Sequence, residues 1–165
     1  MKSFEAEELG RLVDRHAAGL ELFARQWTDS AADVVQMAFV KLASRPPPAE
    51  RTLTWLYAVV RNGAISAARS ESRRKRHEAN LAEGRQDWFV PSPDDRLDAI
   101  EASSALSELP QAYREVIVAR LWGGLTFQEI ADVLEISSSA SHRHYQAGLT
   151  ILREKLGVTW LKNNE

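Results

Sequence analysis

The chain contains no cysteine, so disulfides and thiolate metal sites are excluded. No apolar run approaches the ~20 residues that a membrane-spanning helix needs. The opening MKSFEAEELG lacks the apolar stretch of a secretory signal. These absences predict a cytoplasmic protein with no membrane partner. Histidines occur only at 16, 77, 142 and 144. No glycine-rich phosphate loop and no nucleophile–base pattern accompanies them. No catalytic residue, metal or cofactor is therefore assigned, and an enzyme is not expected. Strand-type alternation of polar and apolar residues is also missing, whereas helical spacing is nearly everywhere.

What is present is ordinary globular material: 165 residues, 44% hydrophobic and 27% charged. That is enough for one medium domain or two small ones. The formal net charge of −2 argues against nucleic acid until its distribution is considered. Residues 69–77 carry five cations (Arg69, Arg73, Arg74, Lys75, Arg76) against Glu71 alone, and the neighbouring 78–110 carry eight acids against two bases. A local cationic patch sets the local potential whatever the total.

The elements read as helices with recognisable stops. Phe4 to Trp27 spaces Leu9, Leu12, Val13, His16, Leu20 and Phe23 along one face. Ser30 to Asp33 resembles a helix start with a carboxylate in the first turn. The helix that follows is expected to bury Val34, Met37, Ala38, Val40 and Leu42. RPPPAER (45–51) must interrupt it, because three prolines cannot continue a helix. A long helix then runs from about Thr52 into the cationic run.

EGRQDWFVPSPDD (83–95) has the composition of a linker, and its Trp88 and Phe89 are expected to dock on a neighbouring body. The division is thus 1–82, a linker at 83–95, and 96–165. Beyond the linker, one helix ends near Leu109. The next begins at Pro110, buries Tyr113, Val116, Ile117 and Leu121, and stops at Gly123-Gly124. Trp160 and Leu161 are expected to complete the second core. The fold class is all-α: two small helical domains joined by a linker.

LTFQEIADVLEISSS (125–139) reads as a helix-turn-helix. Thr126-Phe-Gln-Glu129 has the form of a capping box. Ile130, Ala131 and Leu134 face inward, and Ile136 plugs the turn. Glu135 stands where a glycine usually eases that turn, and Ser141 where an apolar residue usually packs. A serine among 137–139 caps the last helix. Ser139, His142, Arg143 and Gln146 near its start suit base edges in a major groove, Arg143 toward guanine and Gln146 toward adenine. His142 and His144 are two apart and do not converge on a metal.

The cationic run ends a helix that also carries Trp55, Tyr57, Arg61 and Asn62. Cations at a helix C-terminus are favoured by the dipole alone. Aromatic and cationic groups on one surface also suit single-stranded nucleic acid. At least one of the two aromatics is expected in the core.

DSAADVVQMAFVKL (29–42), WLYAVVRNGAISAARSESRRKR (55–76), LPQAYREVIVARLWGGLTFQEIADVLEIS (109–137) and LTILREKL (149–156) together resemble a bacterial RNA polymerase sigma factor of the extracytoplasmic-function (ECF) group. The likeness covers about the whole chain in order. It implies a transcription initiation factor whose partners are core RNA polymerase, at the β′ clamp and the β flap, and promoter DNA, both duplex and single-stranded. An anti-sigma factor is a further partner that the likeness admits.

By this resemblance, Asp33, Val34 and Gln36 match positions that dock on the β′ clamp. Arg61, Asn62, Arg69, Arg73, Arg74 and Arg76 match the part that recognises and melts the −10 element. The PPPAERT loop stands where a flipped base is received. Arg114, Thr126, Ser139, Ser141, His142, Arg143 and Gln146 match the part that reads the −35 duplex. Histidines in place of stronger bases imply a duplex affinity that is weak and falls with rising pH. A helix-turn-helix regulator that is not a polymerase subunit is the alternative, and a protein-binding helical adaptor a second one.

Overall fold

A computed structural model describes residues 4–77 and 97–157. Among these residues there are seven α-helices, one short 3-10 turn and no strand. The linker 83–95 with Trp88 and Phe89, and the tail residues Trp160 and Leu161, lie outside the described residues.

The first half is built from α1 (Ala6–Ala24), α2 (Ala31–Ser44) and α3 (Thr52–His77). Glu7 and Glu8 sit in the first turn of α1, and Arg74, Lys75, Arg76 and His77 in the last turn of α3. Both placements oppose the helix dipole favourably. The prolines at 46–48 end α2, and a 3-10 turn at Ala49–Arg51 leads into α3.

α2 turns a different face inward from the one its sequence suggests. Val35, Ala38, Phe39 and Leu42 are buried, whereas Met37 and Val40 are 55% and 52% exposed. Apolar residues ring this helix almost completely, so periodicity alone admits two faces. The set 35, 38, 39, 42 follows the spacing of one inward stripe, and packing on α1 and α3 selects it. Ser30 occupies the N-cap position of α2 without a side-chain cap; its hydroxyl is used elsewhere.

The second half comprises α4 (Leu97–Glu108), α5 (Gln111–Leu121), α6 (Phe127–Leu134) and α7 (Ser138–Leu156). α5 buries Val116, Ile117, Val118 and Ala119, and also Glu115. Leu121, expected inside, is 41% exposed because the chain leaves the helix there, toward Gly123. Lys155 of α7 pairs with Glu108 of α4 and fastens the outer helix to the bundle.

The two halves are in contact. α1 packs on α5, and α3 on α6. One hydrophobic cluster runs through both halves, from Leu20, Phe23 and Tyr57 to Val116, Leu125 and Ile130. Glycine makes the approach possible at two points. A Cβ on Gly19 would lie 3.3 Å from the Trp122 carbonyl oxygen and 3.2 Å from the Tyr57 hydroxyl. A Cβ on Gly123 would lie 2.8 Å from that same hydroxyl. The expected separate cores are therefore joined across the seam.

Candidate nucleic-acid interface

α3 carries the first candidate surface. Asn62, Arg69, Arg73 and Arg76 are all exposed, and their spacing of seven, four and three keeps them on one side of the helix. Arg74 and Lys75 are exposed beside them. At 1.5 Å per residue, Asn62 to Arg76 spans about 21 Å, room for several phosphates.

Glu71, the one acid within the cationic run, has a structural task. Its Oε1 accepts hydrogen bonds from the Thr28 hydroxyl at 2.5 Å and the Ser30 hydroxyl at 3.2 Å. This ties the α1–α2 turn to α3. The turn brings Trp27 against the helix, where Phe23 meets its ring edge-on at 5.2 Å. The Arg61 guanidinium stands 5.8 Å from the Trp27 ring centroid, within cation–π range. Below lies an open hollow of about 540 Å3, lined by Trp27, Asp29, Ser72, Lys75 and Arg76 among others.

Tyr57 is no stacking platform. It is 1% exposed, packs on Phe23 at 5.1 Å, and burial pushes its phenol pKa up. Trp55 is half-buried. Among the described residues, Arg61 is the −10 candidate with a partner in the other half: its Nε lies 3.4 Å from Glu115 Oε2. Burial pushes the Glu115 carboxyl above its ordinary range, while the charges and hydrogen bond of Arg61 and then the charge of Arg114 pull it back.

The helix-turn-helix carries the second surface. The Thr126 hydroxyl accepts from the Glu129 amide at 3.2 Å, and the Glu129 carboxylate accepts from the Thr126 amide at 2.7 Å. This reciprocal box starts α6. Ser137 caps α7 by accepting from the Ala140 amide at 3.0 Å. Between them Glu135 adopts φ 57°, ψ 43°, a left-handed conformation costing a non-glycine residue about 1–2 kcal/mol. Ser139, His142 and Arg143 are exposed, and Gln146 is half-buried. The Thr126 hydroxyl hydrogen remains available to an acceptor outside the protein.

Two of the −35 candidates are otherwise engaged. Ser141 is 0% exposed, and its hydroxyl is directed at the carbonyls of Phe127, at 2.9 Å, and Ser138, at 2.8 Å. It stitches α7 to α6 and does not face DNA, because the inward position it occupies is already closed by α6. Arg114 is half-buried, donates to the Leu109 carbonyl at 3.1 Å, and its buried Nε has no partner. Burial lowers its pKa, with Glu115 opposing. The two histidines diverge: His142 meets Phe127 edge-on and His144 packs against Tyr113. Among the described residues no three metal-ligating side chains gather.

The third surface is on α2. Asp33 and Gln36 are exposed and Val34 is half-buried against Gly63 of α3. Met37 and Val40 extend the Asp33–Gln36 stripe with exposed apolar atoms. An apolar groove of about 430 Å3 lies alongside, between Leu9 and Val13 of α1 and Val35 and Phe39 of α2.

Sequence reasoning missed Trp27, Glu71, Glu115 and the Met37–Val40 pair. Glu115 and Arg61 are 54 positions apart, and Thr28 and Glu71 are 43 apart. No local pattern joins such residues. For Met37 and Val40 the signal existed, in the neighbouring exposed Asp33 and Gln36, but two apolar faces competed.

Comparison with known proteins identifies the family. Residues 6–74 match the family Sigma-70 region 2, and residues 100–152 match Sigma-70, region 4. RNA polymerase sigma factor CarQ of Myxococcus xanthus is 30% identical over 157 residues, spanning 88% of this chain and 87% of that protein. RNA polymerase sigma factor SigV of Bacillus subtilis is 27% identical over 134 residues, 78% of this chain and 76% of that one. The fold is shared with the sigma factor RpoE of Bartonella quintana, solved with the anti-sigma factor NepR. Its TM-score is 0.74 at 20% identity, covering 93% of this chain and 99% of that one. It is also shared with CnrH, solved with the cytosolic domain of CnrY, at a TM-score of 0.59 and 23% identity, covering 93% and 90%. No described helix is long and apolar enough to cross a membrane. The chain therefore belongs to the sigma-70 family of RNA polymerase sigma factors, in its extracytoplasmic-function group, and is an initiation factor that directs RNA polymerase to promoters.

Proposed function

We propose that the two halves, 1–82 and 96–165, divide promoter recognition, with 83–95 as the tether between them. The first half captures the opened −10 strand through Asn62, Arg69, Arg73 and Arg76, joined by Arg74 and Arg61. Cations along a helix edge supply phosphate affinity without demanding duplex geometry. The second half reads the −35 duplex through Ser139, His142, Arg143 and Gln146, with Thr126 on phosphate. Arg143 is the base-reading residue among them, since a guanidinium matches the guanine edge bidentately.

α2 is the polymerase-docking element. Asp33 and Gln36 give orientation and hydrogen bonds, and Met37 and Val40 give buried area on the β′ clamp. The second half engages the β flap. Catalysis by covalent chemistry has no part: the protein acts in the cytoplasm by binding and by holding DNA strands apart. An anti-sigma factor is a further partner, as it is for RpoE of Bartonella quintana. The observation that carries the reading is the exposed row Asn62–Arg69–Arg73–Arg76 on α3, in the same chain as an exposed recognition helix.

Run-off transcription with purified core polymerase over a promoter library tests it. Defined transcripts sharing two upstream elements are expected. A protein that binds polymerase but leaves initiation random would overturn it.

A further inference from the structure

We infer that Met37 is a reversible oxidation site on α2, where conversion of its thioether to a sulfoxide by hydrogen peroxide loosens the hold on polymerase. The inference rests on the proposed docking role of the α2 stripe and adds a means of regulating it. Its first ground is what the chain offers an oxidant. Sulfur side chains take oxygen from peroxide directly, and thiolates ordinarily compete for it. This chain has no cysteine and two methionines. Met1 heads the chain, and Met37 is the methionine among the described residues. Met37 is 55% exposed, while Val35, Ala38 and Phe39 around it are turned inward. The helix itself therefore holds the thioether outside the core.

The second ground is position. Asp33, Gln36, Met37, Val40 and Lys41 are all exposed, and steps of three and four keep them on one side of the helix. Met37 is at the middle of that stripe, so a partner that covers the stripe covers the sulfur. A sulfoxide is polar and chiral where the thioether was apolar and flexible. In the free chain water solvates the new oxygen, and Lys41, four residues on, stands on the same side of the helix as a donor. Under a docked partner the oxygen must shed that water, and a buried polar group without a partner is costly. Oxidation therefore acts on association and leaves α2 intact.

The step balances. The Met37 sulfur attacks one peroxide oxygen, the O–O bond breaks, and the other oxygen leaves as water. Sulfur is oxidised by an electron pair, and hydrogen peroxide is reduced. A methionine sulfoxide reductase reverses the step: a pair of its thiols becomes a disulfide, and the sulfoxide oxygen leaves as water.

The full chain is treated with hydrogen peroxide, freed of it, and then titrated with core polymerase, so that polymerase itself meets no oxidant. Peptide mass mapping is expected to place one added oxygen on Met37, with circular dichroism unchanged. Affinity for core polymerase should fall about tenfold, equivalent to about 1.4 kcal/mol, the scale of one buried oxygen without a partner. Methionine sulfoxide reductases for both epimers, with dithiothreitol, should restore it. Met37→Leu should show no difference between its own treated and untreated samples. Met37→Gln, polar and uncharged, should bind as weakly as the oxidised wild type without any treatment.

Met37 left unoxidised in the mapped peptide overturns the inference. So do complete oxidation with unchanged affinity, oxidation that unfolds the chain, and an equal loss of binding in treated Met37→Leu. The docking reading fails separately, as a Met37→Asp chain that binds polymerase as tightly as the wild type. Where the inference alone is wrong, Met37→Asp still binds weakly.

Discussion

The two halves hold their candidate DNA-binding side chains in opposite ways. In the first half the candidate cations stand on one 26-residue helix, α3, whose outer end projects beyond the described core. In the second half the base-facing residues sit on the first turns of α7, fixed by caps at Thr126 and Ser137 and by the buried hydroxyl of Ser141. Dense charge on an edge suits a flexible strand, whose phosphates can adapt to it. Few, rigidly placed side chains suit a duplex, whose base edges cannot. Under the proposed function, the contrast assigns affinity and selectivity to different bodies of one small chain.

The contrast can be broken most severely at a third place, the α2 stripe proposed to dock on polymerase. Met37→Asp puts a charge where exposed apolar area is to be buried against polymerase. Pull-down of core polymerase and run-off transcription should both fall by about a hundredfold, near 3 kcal/mol, while the melting temperature stays within a degree or two. Next in size is the comparison inside α7. Arg143→Ala should cost about 1–3 kcal/mol of discrimination at one base position, read as relaxed preference in a promoter library. Ser141→Ala should leave preference unchanged and lower unfolding free energy by about 1 kcal/mol, read by denaturant titration.

Smaller again is Glu135→Gly, which relieves the left-handed residue of the turn. A gain of about 1 kcal/mol in stability is expected, with DNA selectivity unaltered.

The smallest effect concerns His16 on α1. Burial, then the Arg15 charge, lower its pKa from 6.5. A histidine with a lowered folded pKa stabilises fully above its unfolded value and loses that contribution as pH falls through the folded one. Melting curves from about pH 7 to pH 5 should show the wild type losing stability relative to His16→Gln, with a constant gap above pH 7.

Local chemistry explains what the sequence made legible. The Thr126–Glu129 box, the Ser137 cap and the proline stop after α2 involve neighbours within a few positions, and each is present as expected. The same holds for α3, which starts at Thr52 and runs through the cations. Legibility fails where partners are distant or faces are ambiguous. α2 has apolar residues nearly all round, so the inward set was misjudged at Met37 and Val40. The sequence puts Ser141 where an apolar residue usually packs while the resemblance assigns it to the −35 duplex, and α6 packed over it keeps it inside. The Arg61–Glu115 contact and the single cluster through both halves arise from tertiary packing, which no periodicity encodes. Among the DNA candidates, exposure follows the sequence expectation for the outer arginines of α3, and departs from it at Arg61, Arg114 and Ser141.

The division of labour is tested most directly by strand opening on a promoter identified for this factor, followed by permanganate reactivity of thymines in the −10 region with core polymerase present. The Arg69→Ala, Arg73→Ala, Arg76→Ala triple variant should still place polymerase on the duplex with the −35 footprint intact, yet leave those thymines unreactive. Normal thymine reactivity in that variant, or loss of the −35 footprint together with opening, would contradict the account.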